Sequence, residues 1–131
     1  VNGYQKYKKT KVESATKEGL MLMLYEAAIK FTKRAIIACE KNEIAERGMN
    51  IGRAYDIIME LNNTLNHEAG GEIAINLEQL YDFILRQYTQ ANIKGDAEIL
   101  KSVLRLLETL NSGWVQAVEE MKSQKNSEAK K

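Results

Sequence analysis

The residues able to do chemistry are few and far apart. His67 is the single histidine and Cys39 the single cysteine in 131 residues. A zinc site takes three or four such ligands from one chain, so these two cannot build one. A di-iron bundle needs two Glu-x-x-His motifs on facing helices. Thr64 stands three residues before His67, so not even one is present. Gly70-Gly71 lacks the lysine that a phosphate-cradling P-loop supplies, and reads instead as a break between helices. A phosphorylated histidine on a bundle would sit mid-helix among basic residues. His67 falls near a helix end beside Glu68, with no lysine close in sequence. Cys39 lies on the core side of the first predicted helix, where a thiol acts as a small buried hydrophobe. Carboxylates are abundant, but none pair on a face that is otherwise apolar. The expectation is a protein that is not an enzyme and needs no cofactor or metal.

The elements that must carry these residues are helical. The chain contains no proline, against a usual frequency of about 5%, which favours long uninterrupted helices. At 14.9 kDa it is one domain with enough chain to bury a core without disulfides. No run of about 18 apolar residues suggests a membrane span. No charged-then-apolar leader opens the chain, and the expectation is a soluble cytoplasmic protein. Charge is uneven. Lys6, Lys8, Lys9 and Lys11 give the first twelve residues +4, and the last ten carry +3, within a total of +1. The body between is therefore net −6. An acidic body is a poor platform for nucleic acid, whose phosphates need a basic face.

Apolar periodicity predicts four helices joined by short connections, hence an all-α, antiparallel up-down four-helix bundle. The first runs from about Lys17 to Cys39 with Thr16 as N-cap. The second spans about Glu43 to Asn66. The third follows Gly70-Gly71 and ends near Asn92. The fourth starts after Gly95 and ends near Lys122. Residues 1–15 are expected to form a mobile arm, with a small extra helix as an option. Residues 16–122 form the bundle and 123–131 a disordered basic tail. The predicted core stripes are Leu20, Met23, Leu24, Ala27, Phe31, Ala35 and Ala38 in the first helix, and Ile44, Ile51, Ala54, Ile58, Leu61 and Leu65 in the second. The third contributes Ile73, Leu77, Leu80, Tyr81, Ile84 and Tyr88. The fourth contributes Ile99, Val103, Leu106, Leu107, Leu110, Trp114 and Met121.

Apolar residues are left over once these stripes close. Leu22, Tyr25, Ile29 and Ile36 form a second stripe on the first helix. Ile57 and Met59 flank the second, Ile75 and Phe83 the third, and Leu100, Leu104 and Val115 the fourth. A bundle helix needs an apolar arc only a little over ~100° wide. The surplus predicts either a groove for a partner helix or a homodimer face. Tyr4 and Tyr7 interleave with the lysines of the arm at helical spacing, which predicts that the arm docks somewhere.

The residues also resemble a family. The run from Leu22 to Phe31, Leu-Met-Leu-Tyr-Glu-Ala-Ala-Ile-Lys-Phe, is similar to the first long helix of the flagellin-specific secretion chaperones, the FliS family. So is Ile57-Ile58-Met59-Glu60-Leu61, followed by Leu65. The nearest match is Gly70-Gly71-Glu72-Ile73-Ala74 with Asn76-Leu77, Leu80-Tyr81 and Ala91-Asn92. The arm's Tyr4-x-x-Tyr7 fits as well. The resemblance spans about Tyr4 to Val118, and its specificity lies in the joint order and spacing. The chain departs from the family pattern at Glu26-Ala27, where Asp-Gly is usual, and at Lys17, where proline often follows the cap. A glutamate is often found near Gly19, so a capping box is missing here.

The resemblance implies a cytoplasmic chaperone. It would bind the carboxy-terminal segment of flagellin, which is disordered in the monomer, prevent premature polymerisation and help deliver the subunit to the flagellar export gate. It implies no ATP and no metal. The groove candidates are then Leu22, Tyr25, Ile29 and Ile36 first, with Ile57, Met59, Ile75, Phe83, Leu104 and Val115 second. Tyr4 and Tyr7 are expected either to cover that groove in the free protein or to touch the export gate. The competing readings are a homodimeric structural protein without a flagellin client and a phosphotransfer accessory acting through His67.

Overall fold

Thr16 opens the first helix of the computed structural model, which describes residues 16–129. Its Oγ1 accepts the Gly19 N–H at 2.9 Å, satisfying one of the donors that a helix start leaves unpaired. Helix α1 then runs Lys17–Glu40, α2 runs Ile44–Asn63, α3 His67–Lys94 and α4 Ala97–Ala129. The expected arm, with Tyr4 and Tyr7, lies outside the described residues.

The four helices form a ring. Helix α1 packs on α2 and α4, and α3 closes the ring between α2 and α4. Side-chain contacts give the directions. Arg47 at the start of α2 donates to the Asn92 carbonyl at the end of α3, at 3.0 Å. Lys101 near the start of α4 pairs with Glu40 at the end of α1, at 3.5 Å. Neighbours are antiparallel, as the short connections require.

The interior is built from small residues and tyrosines. Ala28, Ala35, Ala54 and Ala91 are all fully buried, which lets backbones approach. Tyr25, Tyr81 and Tyr88 are buried beside Ile58, Leu61, Ile84, Leu100 and Leu107. Their hydroxyls pair across the ring. Tyr25 Oη meets Tyr81 Oη at 2.6 Å. Thr32 Oγ1 meets Tyr88 Oη at 2.7 Å. The Thr32 hydroxyl gives its own hydrogen to the Ala28 carbonyl at 2.7 Å, so Tyr88 is the donor in its pair. Burial pushes all three phenols up from their ordinary value. For Tyr25, the Tyr81 hydroxyl opposes that shift. The Trp114 side chain opposes it too, although its indole N–H does not reach hydrogen-bond geometry.

The buried face of α1 differs from the expected one. The expected Ala35 and Ala38 are buried, but Tyr25, Ala28, Thr32 and Cys39 join them in the core, whereas Leu20 is 45% exposed. The true stripe is turned by roughly one residue step, or ~100°. The hydroxyl pairs explain this: Tyr25 and Thr32 bury their polar atoms because each finds a partner. In α2 the expected Ile51, Ala54, Ile58 and Leu61 are buried, but Ile44 is exposed. In α3 the expected Tyr81, Ile84 and Tyr88 are buried, but Ile73 is exposed. In α4 the core includes Leu100, expected on a flank, and leaves Met121 exposed.

Two boundaries also differ. Helix α3 starts four residues before Gly71, because the Asn66 Oδ1 accepts the Ala69 N–H at 3.1 Å and caps it there. Gly71 then interrupts the helix with φ 52° and ψ −124°, a conformation open to glycine and costly for other residues. Helix α4 does not end near Lys122 but continues to Ala129, so the expected disordered tail is helical through that residue. Its last turns hold glutamate, lysine, glutamine and alanine without glycine or proline, a composition that favours continued helix. At the α3–α4 turn Gly95 takes the left-handed conformation, φ 62°, and Asp96 Oδ1 accepts the Glu98 N–H at 2.9 Å.

The hydroxyl pairs predict an asymmetry. Tyr81→Phe strands a buried hydroxyl on Tyr25 and should cost about 1–3 kcal/mol. Tyr88→Phe should cost less, because Thr32 keeps its bond to the Ala28 carbonyl. The double substitution of Tyr25 and Tyr81 by Phe should be milder than the sum of the two single ones. Urea unfolding of the parent and the four variants checks this, and equal costs for Tyr81→Phe and Tyr88→Phe would refute it. The raised phenol values also set an alkaline limit. The unfolded tyrosines lose protons at pH ~10 while the folded ones keep them. Stability is therefore intact below that pH and falls as pH rises through it, with a slope approaching ~4 kcal/mol per pH unit if all three respond. Unfolding midpoints between pH 8 and 11 read the slope, and replacing the three tyrosines by Phe should flatten it.

Candidate functional site

The polar candidates sit where they can do little chemistry. Cys39 is buried. Burial pushes its thiol up, Asp96 and Glu40 add to the rise and Arg47 opposes it, so the reactive thiolate is disfavoured. His67 Nε2 pairs with Glu78 Oε2 at 3.0 Å on the surface. Among the described residues no group of three His, Cys, Asp or Glu side chains is placed to hold a metal. No described helix is long and apolar enough to cross a membrane.

The apolar candidates divide by burial. Tyr25 is fully buried and Ile36 is buried too, so neither can line an open groove. Ile29 packs against the core from one side. Leu22 shares a small cleft with Val118 and Met121 of α4. Of the stripe Leu22, Tyr25, Ile29 and Ile36, two residues are thus core and two are half-buried. The stripe looked spare because the α1 register was turned. Ile57 and Leu104 are likewise partly buried against the core.

The second set stays open. Met59, Ile75, Phe83 and Val115 are exposed, at 45%, 51%, 42% and 37%. Sequence reasoning missed others. Ile73 and Met121, assigned to the core, are exposed, as is Ile93. Phe83 and Tyr55 line a surface cleft of about 410 Å³ with Leu85, Arg86 and Thr89. Helix α2 supplies Tyr55 and α3 the others. The cleft has a half-buried apolar floor of Tyr55 and Leu85 under a rim of polar side chains, which is how helix-binding grooves are built. A smaller cleft of about 220 Å³ lies between the first turn of α1 and α4. Thr16, Gly19, Leu22, Val118 and Met121 line it, with Lys122 and Lys125 at the side.

The described residues form a helical bundle with exposed apolar side chains. Comparison with known proteins narrows the class. The family described as flagellar protein FliS matches residues 1–121. The flagellar secretion chaperone FliS of Vibrio cholerae is 39% identical over 116 residues, covering 86% of this chain and 85% of that protein. The FliS chaperone of Bacillus subtilis is 35% identical over 118 residues, 90% and 87% of the two chains. That of Salmonella typhimurium is 34% identical over 120 residues, 88% and 89%. The chain belongs to the FliS family of flagellar secretion chaperones, whose role is not enzymatic.

The division by burial has a mechanical consequence. Phe83→Ser and Met59→Ser should each change unfolding free energy by no more than about 0.5 kcal/mol. Leu107→Ala, at a fully buried site, should cost about 2–5 kcal/mol. Urea midpoints measure all three, and a costly Phe83→Ser would show that the residue is core.

Proposed function

We propose that this chaperone binds the disordered carboxy-terminal segment of flagellin in the bacterial cytosol, keeps it from polymerising early and aids its delivery to the flagellar export gate. The observation that carries this reading is the open cleft between α2 and α3, with Phe83 exposed on its lining. Family membership supports a flagellar export client. An amphipathic segment without its assembly partners has an apolar face to hide, and such a cleft gives it one. Ordering the segment costs about 2–5 kcal/mol of the gross interaction, which keeps the complex releasable. Met59, Ile75 and Val115 are the further exposed contacts in this proposal. Ile57, Leu104, Leu22 and Ile29 are half-buried and are partly accessible contacts in the proposal.

The amino-terminal arm has a place in the same scheme. Its last neighbour, Thr16, lines the cleft between α1 and α4. Tyr4 and Tyr7 lie outside the described residues, and the role proposed for them is to cover apolar surface in the free protein and yield to the client. A gate contact by the arm is the rival role. The homodimer reading rested on the surplus apolar residues, of which Tyr25 and Ile36 are buried within one chain.

Calorimetry and circular dichroism with a peptide of the last forty or so residues of the cognate flagellin test the proposal. One-to-one binding with a gain of helix is expected. Phe83→Ser should weaken it by about ten-fold, or ~1.4 kcal/mol, as loss of one aromatic anchor does. Deleting residues 1–12 should raise affinity under the covering role. Absence of binding by both the full chain and the deletion would sink the flagellin reading.

A further inference from the structure

A second surface, on α1 and α2 and away from the Phe83 cleft, carries unspent charge. Phe31 is half-buried where α1 meets α2. Three cations gather on its ring. Lys30 Nζ lies 4.7 Å from the ring centroid, and the guanidinium carbons of Arg53 and Arg34 lie 5.5 Å and 5.7 Å from it. All three side chains are exposed. None is within ion-pair distance of a carboxylate among the described residues, whose ion pairs involve Glu40, Glu78 and Glu98. Glu26 and Asp56 stand four and three residues away on the same helices, yet neither is drawn in. Three cations that share one ring and have no carboxylate in ion-pair reach can take an outside anion between them.

The chemistry of that anion can be read from what adjoins it. Arg34 and Arg53 also line a surface cleft of about 290 Å³ with Ile37, Ala38 and Met49. Ile37 is 51% and Met49 43% exposed, so the floor is apolar. Glu43 and Glu46 line the same cleft. A uniformly anionic phosphate backbone would be repelled by those carboxylates, whereas a polypeptide can set its acids beside the three cations alone and a basic or apolar residue beside Glu43 and Glu46. Guanidinium groups bind carboxylates through paired N–H donors.

We propose that this α1–α2 face docks an acidic segment of a second polypeptide. Its carboxylates lie against Arg34, Arg53 and Lys30, and an apolar side chain rests between Ile37 and Met49. The site is separate from the client cleft, so this interaction and the flagellin interaction stand or fall independently.

The test uses the full chain, isotope-labelled, and a twelve-residue probe peptide with Asp and Glu in one half, a central Leu, and Ser and Lys in the other half. Titration is followed by amide chemical shifts at 50 and 300 mM NaCl. Shifts confined to residues 30–37 and 49–53 are expected, weakening at least ten-fold at the higher salt. Arg34→Glu with Arg53→Glu should abolish them, and Arg34→Gln with Arg53→Gln should weaken them while leaving the helical spectrum unchanged. A peptide with Lys in place of the acids should not bind. Shifts elsewhere, or undiminished binding by either double variant, would overturn the proposal. So would tighter binding of a DNA duplex or of phosphatidylglycerol vesicles at the same residues. The flagellin peptide should bind the Arg→Gln variant as it binds the parent, and a joint loss would merge the two surfaces and overturn their separation.

Discussion

Two hydroxyl contacts across the diagonal of the bundle constrain everything else. Helices α1 and α3 are not neighbours in the ring, yet Tyr25 reaches Tyr81 and Thr32 reaches Tyr88. The two rungs are seven residues apart on both helices, and both join residues 56 apart in sequence. That equality holds only if α1 and α3 run parallel and in register. With the diagonal set, α2 and α4 have to run the other way and fill the remaining corners. A tyrosine is long enough to span the centre and polar only at its tip. It buries as a hydrophobe while its terminal atom selects one partner. Apolar packing alone would tolerate a helix sliding or turning. A misplaced hydroxyl in this interior would go unpaired.

The same rungs mark where the sequence was hard to read. The number of helices, their order and their antiparallel arrangement were legible, because period and short connections suffice for those. So were the Thr16 cap and most of the α2 core. The face of α1 was not. Counting apolar residues favours Leu20, Met23 and Leu24 and gives Thr32 no weight, while the folded chain buries Thr32 and leaves Leu20 exposed. Only the partner on α3, 56 residues away, explains why a threonine belongs inside. The helical end of the chain was missed for a different reason. Residues 119–128 bury no side chain, so periodicity carries no signal there, and propensity extending from a formed stem decides. The early start of α3 was hidden by Gly70-Gly71, which reads as a boundary but acts as a kink within the helix.

Candidate binding residues followed from those errors. The stripe Leu22, Tyr25, Ile29 and Ile36 seemed superfluous only while the wrong face of α1 was turned inward. The flanking residues on α2, α3 and α4 were identified with less emphasis, and Met59, Ile75, Phe83 and Val115 among them are the ones exposed. Family resemblance was legible from joint spacing. It could not separate seam from surface, because a buried side chain and an exposed contact leave the same apolar letter in the sequence.

The far end of α4 has a thermodynamic character of its own. Val118 is its last buried residue, and beyond it about ten residues of helix, ~15 Å at 1.5 Å per residue, bury no side chain, although Met121, Lys122 and Lys125 flank the first turn of α1. A free peptide of that length would hardly form a helix, since nucleation is unfavourable. Here the bundle supplies the nucleus, and each further residue adds only the near-neutral step of propagation. The projecting end is thus an element whose length is balanced near thermal energy. A modest contact anywhere along it shifts how far the helix extends, so it converts weak local binding into a change of reach.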